Sequence, residues 1–593
     1  MRKKVVLLLS AIGSIGVFSF SLFDRLSTID PLYVKAASDK GKTMDLVSNL
    51  QSKVLQEGKV EFVSDGYTFS FEGEGVAFDI NGIHISKGGY LRNFTCFNNL
   101  KGIRYKTNGD FVFMSGTTSK NVISKYQSAV ATKDSVALEA TGGEHFMLFA
   151  KEKDVTLTEL TLEFDCTYEG IVASESDKWD ATWSWGLEGS GVKQEPFLIS
   201  SLNDWNEFAE ATKTYMFKDR YFKLTANIGD ETNKVTTSAD ASHETPFSGH
   251  FDGDGHEVYI DISDDANRAG LFAHAGNNAS FENVTIRGSV LGKGSVAGSL
   301  VSALVSDATI RNVKNYASVN AKDTVGGIVG FIYGYATSKT ILDNLENHGA
   351  INVTDSVLGG IVGKADGKQT ISNSRNYSDI TYNGGGSFTE DTQTYIGGIV
   401  GYNATGSIDG CGNYGSMISK NKYALKIGGI VGRTGNGNVS NCVYGYTKEE
   451  INQGKTQPSF NVTSNYCGGI VGSVDGLKDA AAPTISNCVN YVNLSQTSKS
   501  CLGGIAGLSN FAGVNFISCS NYGDITGIMS VGGIAGRAVN TVTFTGCANN
   551  GIVKIGETEA SQDVGQKDAT TAAQKKIPGK IIGNIATGTL TIN

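Results

Sequence analysis

The sequence predicts an all-β protein: an N-terminal β-sandwich of jelly-roll type, then a right-handed parallel β-helix with a short capping helix. Three observations predict it. The first is a returning phrase: VGGIVG at Val325–Gly330, LGGIVG at Leu358–Gly363, IGGIVG at Ile396–Gly401 and Ile427–Gly432, CGGIVG at Cys467–Gly472, LGGIAG at Leu502–Gly507 and VGGIAG at Val531–Gly536. The shared residues Ile328, Ile361, Ile399, Ile430, Ile470, Ile505 and Ile534 stand 29 to 40 residues apart, the period of stacked units that cannot bury an apolar face alone. The second is the phrase that follows each copy, such as ISNSRNYSDI (Ile371–Ile380), ISNCVNYVNL (Ile485–Leu494) or FISCSNYGDI (Phe516–Ile525). Apolar and polar residues alternate in it, as in strands. The third is glycine, 75 of 593 residues, which weighs against helical repeats.

From the start of the chain, MRKK and the uncharged apolar run Val5–Phe23 read as a signal peptide over 1–36, cleaved after Ala36. An uncleaved anchor would be the sole route to a membrane. Loss of residues 1–36 removes five Lys/Arg and two Asp, taking the net charge from −9 to −12. An acidic surface repels phosphate backbones, so nucleic acid is not an expected partner.

Residues 39–169 carry a short helix at Met44–Leu55 and then unrepeated strands such as KVEFV, YTFSF and VTLTELTLEF, the texture of an antiparallel β-sandwich. Tyr67, Phe69, Tyr90 and Phe94 are assigned to its core. Residues 170–195 form a linker with Trp179, Trp183 and Trp185, whose rings are expected to pack against a neighbouring domain.

The β-helix occupies 196–593. Ser201 is placed to cap a helix over Leu202–Thr212, with Leu202, Trp205, Phe208 and Ala209 on one apolar face lying over the first coils. Each coil is read as a GGIVG strand, a strand ending in Cys or a substitute, an Asn turn and a third strand. Coils stack about 4.8 Å apart, so Asn315, Asn347, Asn376, Asn413, Asn490, Asn521 and Asn549 are expected to form a buried amide ladder. Cys411, Cys442, Cys488, Cys519 and Cys547 share a slot held by Val313, Leu345 and Ser374 in earlier coils, which predicts inward free thiols; Cys96 and Cys166 could pair in the sandwich. Insertions at 383–394, 447–459 and 556–574 are expected between the third strand and the next GGIVG, forming one rim of loops. The last strands stop without a cap, leaving an end that a loop or another molecule must cover, by self-association in the second case.

The pattern resembles the GLUG motif of bacterial surface proteins and of the non-catalytic regions of some immunoglobulin A peptidases. The resemblance spans Pro196 to the C-terminus, and it implies a β-helix on an exported protein without implying an activity.

Chemistry has little to work with. His243-Glu244 and His256-Glu257 lack the second His of a zinc peptidase. FDGDGHE (Phe251–Glu257) reads as a tight turn and lacks the length of a calcium loop. The GGIVG strands offer no ionisable residue to align, so no catalytic residue, metal or cofactor is assigned. The candidate site is an outward stripe, Tyr316, Tyr377, Tyr414, Tyr491 and Tyr522, with His348 and Asn550 in the same slot. The expected function is adhesin-like binding of an extracellular glycan or of a host or neighbour-cell protein, secreted or at the cell surface. The alternative is a carbohydrate-active enzyme, a polysaccharide lyase or hydrolase of the β-helix type.

Overall fold

A computed structural model describes residues 42–593 apart from short stretches, the longest being 173–186, 385–393, 420–424 and 568–575. The signal peptide and the three linker tryptophans fall outside the described residues. The protein is nearly all-β, with 56% strand, 5% helix and about ten solenoid turns from residue 221 onward. It divides into two units, residues 1–182 and 183–593.

In the first unit ten strands join one antiparallel sheet, beside a two-stranded ribbon of Thr95–Asn98 and Cys166–Val172. In Val155–Phe164 the residues Val155, Leu157, Leu160, Leu162 and Phe164 point inward, with the alternation stepping by one residue between Leu157 and Leu160. Register shifts at Glu74/Val76 and Leu157/Glu159 bend the strands. Phe62, Phe69, Phe71, Phe97, Phe146 and Phe164 form the centre, with Phe97 and Phe164 at 4.9 Å between centroids. Phe69 is thus core as expected, whereas Tyr90 is half-buried. Helix α1 is only Leu46–Leu50, capped by Asp45. It starts later than expected because Lys42–Asp45 pairs as a strand with Thr161–Phe164, and it also ends earlier, at Leu50 with Gln51 as its C-cap. The side chains of Cys96 and Cys166 lie outside the described residues.

The second unit winds through three parallel sheets of thirty, nine and eleven strands. One coil places Val357–Gly359 in the nine-stranded sheet and Val362–Ala365 in the eleven-stranded sheet. Thr370–Ser372, Arg375–Asn376 and Ile380–Tyr382 follow in the thirty-stranded one. GGIVG is therefore a corner joining two sheets, and the expectation of a single GGIVG strand is corrected. Sterics explain the glycines there. A Cβ on Gly326 would lie 1.9 Å from the Val329 carbonyl oxygen, and one on Gly327 would lie 2.2 Å from that of Gly360. The isoleucine after the glycine pair is fully buried in every copy.

Helix α2 (Leu202–Thr212) plugs the N-terminal end as the apolar spacing requires. Ser201 accepts from the Asp204 amide at 3.2 Å. Trp205 packs edge-on against Phe251 and Phe272, and its indole N–H donates to the Thr237 carbonyl at 2.9 Å.

At the other end the solenoid closes with short strands. Thr558–Glu559 pairs antiparallel with Val553–Ile555, and Val564–Lys567 lies beyond Ile582–Ile585 as the final strand of its sheet. Leu590–Ile592 pairs with Val542–Phe544.

Candidate functional site

The site is built on the Asn turn. Asn315 donates through Nδ2 to Asn347 Oδ1 at 2.7 Å, Asn347 to Asn376 at 2.8 Å, and Asn376 to Asn413 at 2.8 Å. A second run joins Asn490 to Asn521 and Asn521 to Asn549, both at 2.7 Å. Between the runs Tyr444, fully buried, stands in register with Asn413 and Asn490. With this inner ladder fixed, the next residue of each coil must point outward.

A further ladder went unread in the sequence. Asn283, Asn312, Asn344, Asn373, Asn441 and Asn487 all have φ between 50° and 56°, the left-handed region that Asn tolerates. Asn344 donates to Asn312 at 2.8 Å and Asn312 to Asn283 at 3.0 Å, towards the N-terminal end and opposite in sense to the inner ladder.

The outward residues form a row of rings. Centroid separations are 4.6 Å for Tyr316–His348, 4.7 Å for His348–Tyr377, 5.3 Å for Tyr377–Tyr414 and 4.6 Å for Tyr414–Tyr446, with interplanar angles from 7° to 25°. Tyr491 and Tyr522 stack separately at 5.2 Å. Every tyrosine expected in the stripe lies in the row. Tyr446 was missed because its coil puts Tyr444 in the Asn slot and shifts the outward ring by one residue.

The insertion at 447–459 explains the break. It lies before the strand Phe460–Val462, at the Asn-turn corner, and not after the third strand as expected. It carries helix α3 (Lys448–Asn452), closed by a capping box between Thr447 and Glu450. Gln457 bridges the two halves of the row: its Oε1 accepts from the Tyr446 amide and its Nε2 donates to the Tyr491 carbonyl, each at 2.7 Å.

Because the rings stack on one another, most of their faces are mutually covered and their edges and hydroxyls meet solvent. Arg287 lies 4.6 Å over Tyr316 and closes the N-terminal face of the row; Glu257 holds that guanidinium at 2.8 Å. Burial raises the phenols of Tyr377, Tyr414, Tyr446 and Tyr491 above the ordinary value, so they remain neutral hydrogen-bond donors at physiological pH.

Ionisable residues do align beside the GGIVG corner, which corrects the expectation that none would. Lys364, Tyr402 and Arg433 occupy one register position on consecutive coils. Asp475 accepts from Lys426 and from Ser473, each at 2.7 Å, with Arg433 Nε at 3.5 Å. Arg433 also donates to the Tyr395 hydroxyl at 3.0 Å. Burial alone would raise the Asp475 carboxyl, but Lys426, Ser473 and Arg433 outweigh it and hold it below the usual range. Among the described residues Asp366, bound to Lys364 at 2.9 Å, holds the slot of Asp475 on an earlier coil. It sits three coils from Asp475, about 14 Å at one coil per 4.8 Å, beyond the roughly 5–10 Å that separates paired glycosidase carboxylates.

FDGDGHE is a turn, with Asp254 and Gly255 at positive φ and Asp252 accepting from the Asp254 amide at 2.9 Å. Cys411, Cys442, Cys488 and Cys519 are buried free thiols and Cys547 is half-buried. Among the described residues no group of three His, Cys, Asp or Glu side chains is placed to hold a metal ion. Among them, too, no helix is long and apolar enough to cross a membrane.

Fold and row together define a parallel β-helix protein with an outward aromatic spine. No protein-family model matches the chain. Halomucin from Haloquadratum walsbyi is 31% identical over 154 residues, 24% of this chain and 2% of that protein, so the chain spans only a small part of its relative's length. Among solved structures, a Bacteroides ovatus protein provisionally assigned as an immunoglobulin A1 protease shares 16% identity over 68% of this chain and 86% of its own, with a TM-score of 0.32. The catalytic domain of a GH87 α-1,3-glucanase in complex with nigerose shares 10% identity over 94% and 98%, with a TM-score of 0.20. Likenesses this low bear on neither site nor chemistry.

Proposed function

We propose that this is an exported surface or secreted binding protein of the GLUG-repeat kind, which uses its β-helix to present the tyrosine row to a glycan or protein ligand. One observation carries the reading: five rings, Tyr316, His348, Tyr377, Tyr414 and Tyr446, stack one on the next along one line of the solenoid, with Tyr491 and Tyr522 beyond. A fixed line of ring edges and phenol hydroxyls suits an extended polymer, because amphipathic rings on a rigid scaffold bind with little loss of conformational entropy. The Asn ladders and the α2 plug supply that rigidity.

The enzyme reading gains less support. The strip beside the GGIVG corner holds Asp475 in an ion network with Lys426 and Arg433, and among the described residues the carboxylate in the same slot, Asp366, stands three coils away. The test is a glycan and matrix-protein array probed with the full chain and with a variant carrying Tyr377→Ala, Tyr414→Ala, Tyr491→Ala and Tyr522→Ala. Binding that the variant loses, with its circular dichroism unchanged, supports the reading. Equal binding by both, or none by either, contradicts it.

A further inference from the structure

The row is closed at one end and open at the other. Tyr316 is covered by Arg287 at 4.6 Å, and each ring from His348 to Tyr446 has a neighbour at 4.6 to 5.3 Å. Tyr522 is covered on its N-terminal side by Tyr491 at 5.2 Å. On its C-terminal side the next coil places Asn550, whose backbone amide donates to the Asn521 carbonyl at 2.7 Å. An Asn in the slot that held Tyr or His cannot cover a six-membered ring. Tyr522 is accordingly the most exposed ring of the row, at 51% against 39% for Tyr316 and Tyr377.

We infer that Tyr522, with Asn550 beside it, is the platform on which a neutral pyranose ring of the ligand stacks. The inference rests on the reading of the row as a binding site and gives that site a contact point and a ligand class. A pyranose presents C–H bonds on one face, which suit the electron-rich face of a phenol, and hydroxyls around its rim, which need polar partners. Asn550 is exposed, and its side-chain amide has no hydrogen-bond partner among the described residues, so it can donate to and accept from such hydroxyls. Asp524, two residues beyond Tyr522, accepts from the Ile552 amide at 2.9 Å. Its carboxylate disfavours acidic sugars at this end. From Tyr316 to Tyr414 each ring is covered on both faces and offers edges alone, and Lys455 lies 5.8 Å over the Tyr446 ring.

The test measures binding of the full chain to soluble neutral glucan, mannan and galactan, with a polyuronate as the acidic arm. Tyr522→Ala, Tyr522→Trp and Tyr377→Ala are compared with the parent. The inference expects Tyr522→Ala to weaken neutral-polymer binding about tenfold, Tyr522→Trp to keep or improve it, and Tyr377→Ala to weaken it clearly less than Tyr522→Ala does. Equal loss in Tyr377→Ala and Tyr522→Ala, or loss in Tyr377→Ala alone, would leave the row as the site and overturn the platform. Preference for the polyuronate overturns the ligand class. Binding of the parent to matrix protein and to no polysaccharide overturns the platform while sparing the row, and no binding to either contradicts both.

Discussion

Gly360 and Asn376 face each other across the inside of one coil: a Cβ on the glycine would stand 2.7 Å from the Asn376 amide carbon. The contact recurs for Gly327 with Asn347, Gly398 with Asn413, Gly469 with Asn490, Gly504 with Asn521 and Gly533 with Asn549. The two halves of the repeat, GGIVG and NYG, therefore accompany one another because the corner that needs glycine is packed against the amide ladder. In the coil where Tyr444 replaces Asn, Gly429 meets the tyrosine ring instead, at 2.5 Å.

Gly360→Ala should destabilise the β-helix by about 3 kcal/mol, since the new methyl meets backbone oxygen and the ladder at once. Gly334→Ala, whose Cβ would find its nearest neighbour at 3.8 Å, should stay within about 0.5 kcal/mol of the parent. Denaturant unfolding of both variants checks the pair.

Asn521→Ala should cost about 2–3 kcal/mol, because it strips Asn490 of its acceptor and Asn549 of its donor inside the solenoid. Asn550→Ala, at the exposed slot one residue after Asn549, should be nearly neutral. Thermal melts of the two variants provide the comparison.

Repetition made the ladder, the thiol slot and the α2 cap legible, since each follows from alternation or from a local capping signal. What stayed hidden has physical causes. A Gly-Gly pair fits a strand or a corner equally well until the neighbouring coil supplies the clash. Lys426 and Asp475 are 49 residues apart and meet only because coils stack. Tyr446 was masked by an insertion whose corner could not be placed from length alone. The tyrosine stripe itself was readable from position, but the covering of one ring by the next required coordinates.

Acid should weaken the fold through Asp475. Its carboxyl is held below the ordinary value, so its contribution is complete above about pH 4 and is lost as the pH falls through the lower folded value. Asp475→Asn should lose about 3 kcal/mol at neutral pH by leaving Lys426 buried without its counter-ion. It should also flatten the acid limb of a stability–pH curve measured by urea unfolding.

Among the described cysteines, Cys547 should react first with a disulfide reagent in the native protein. Cys411, Cys442, Cys488 and Cys519 are buried and Cys547 is half-buried, so a reagent reaches Cys547 without opening the coils. Mass-spectrometric timing of modification should show those four labelled only on unfolding.

The account is tested most directly by footprinting the tyrosines with a nitrating reagent, with and without the ligand selected on the array, and reading each site by mass spectrometry. The prediction is protection of Tyr316, Tyr377, Tyr414, Tyr491 and Tyr522, deepest at Tyr522, while Tyr335, 73% exposed and outside the row, is modified equally in both samples. Unchanged modification of the row in the presence of saturating ligand would contradict it.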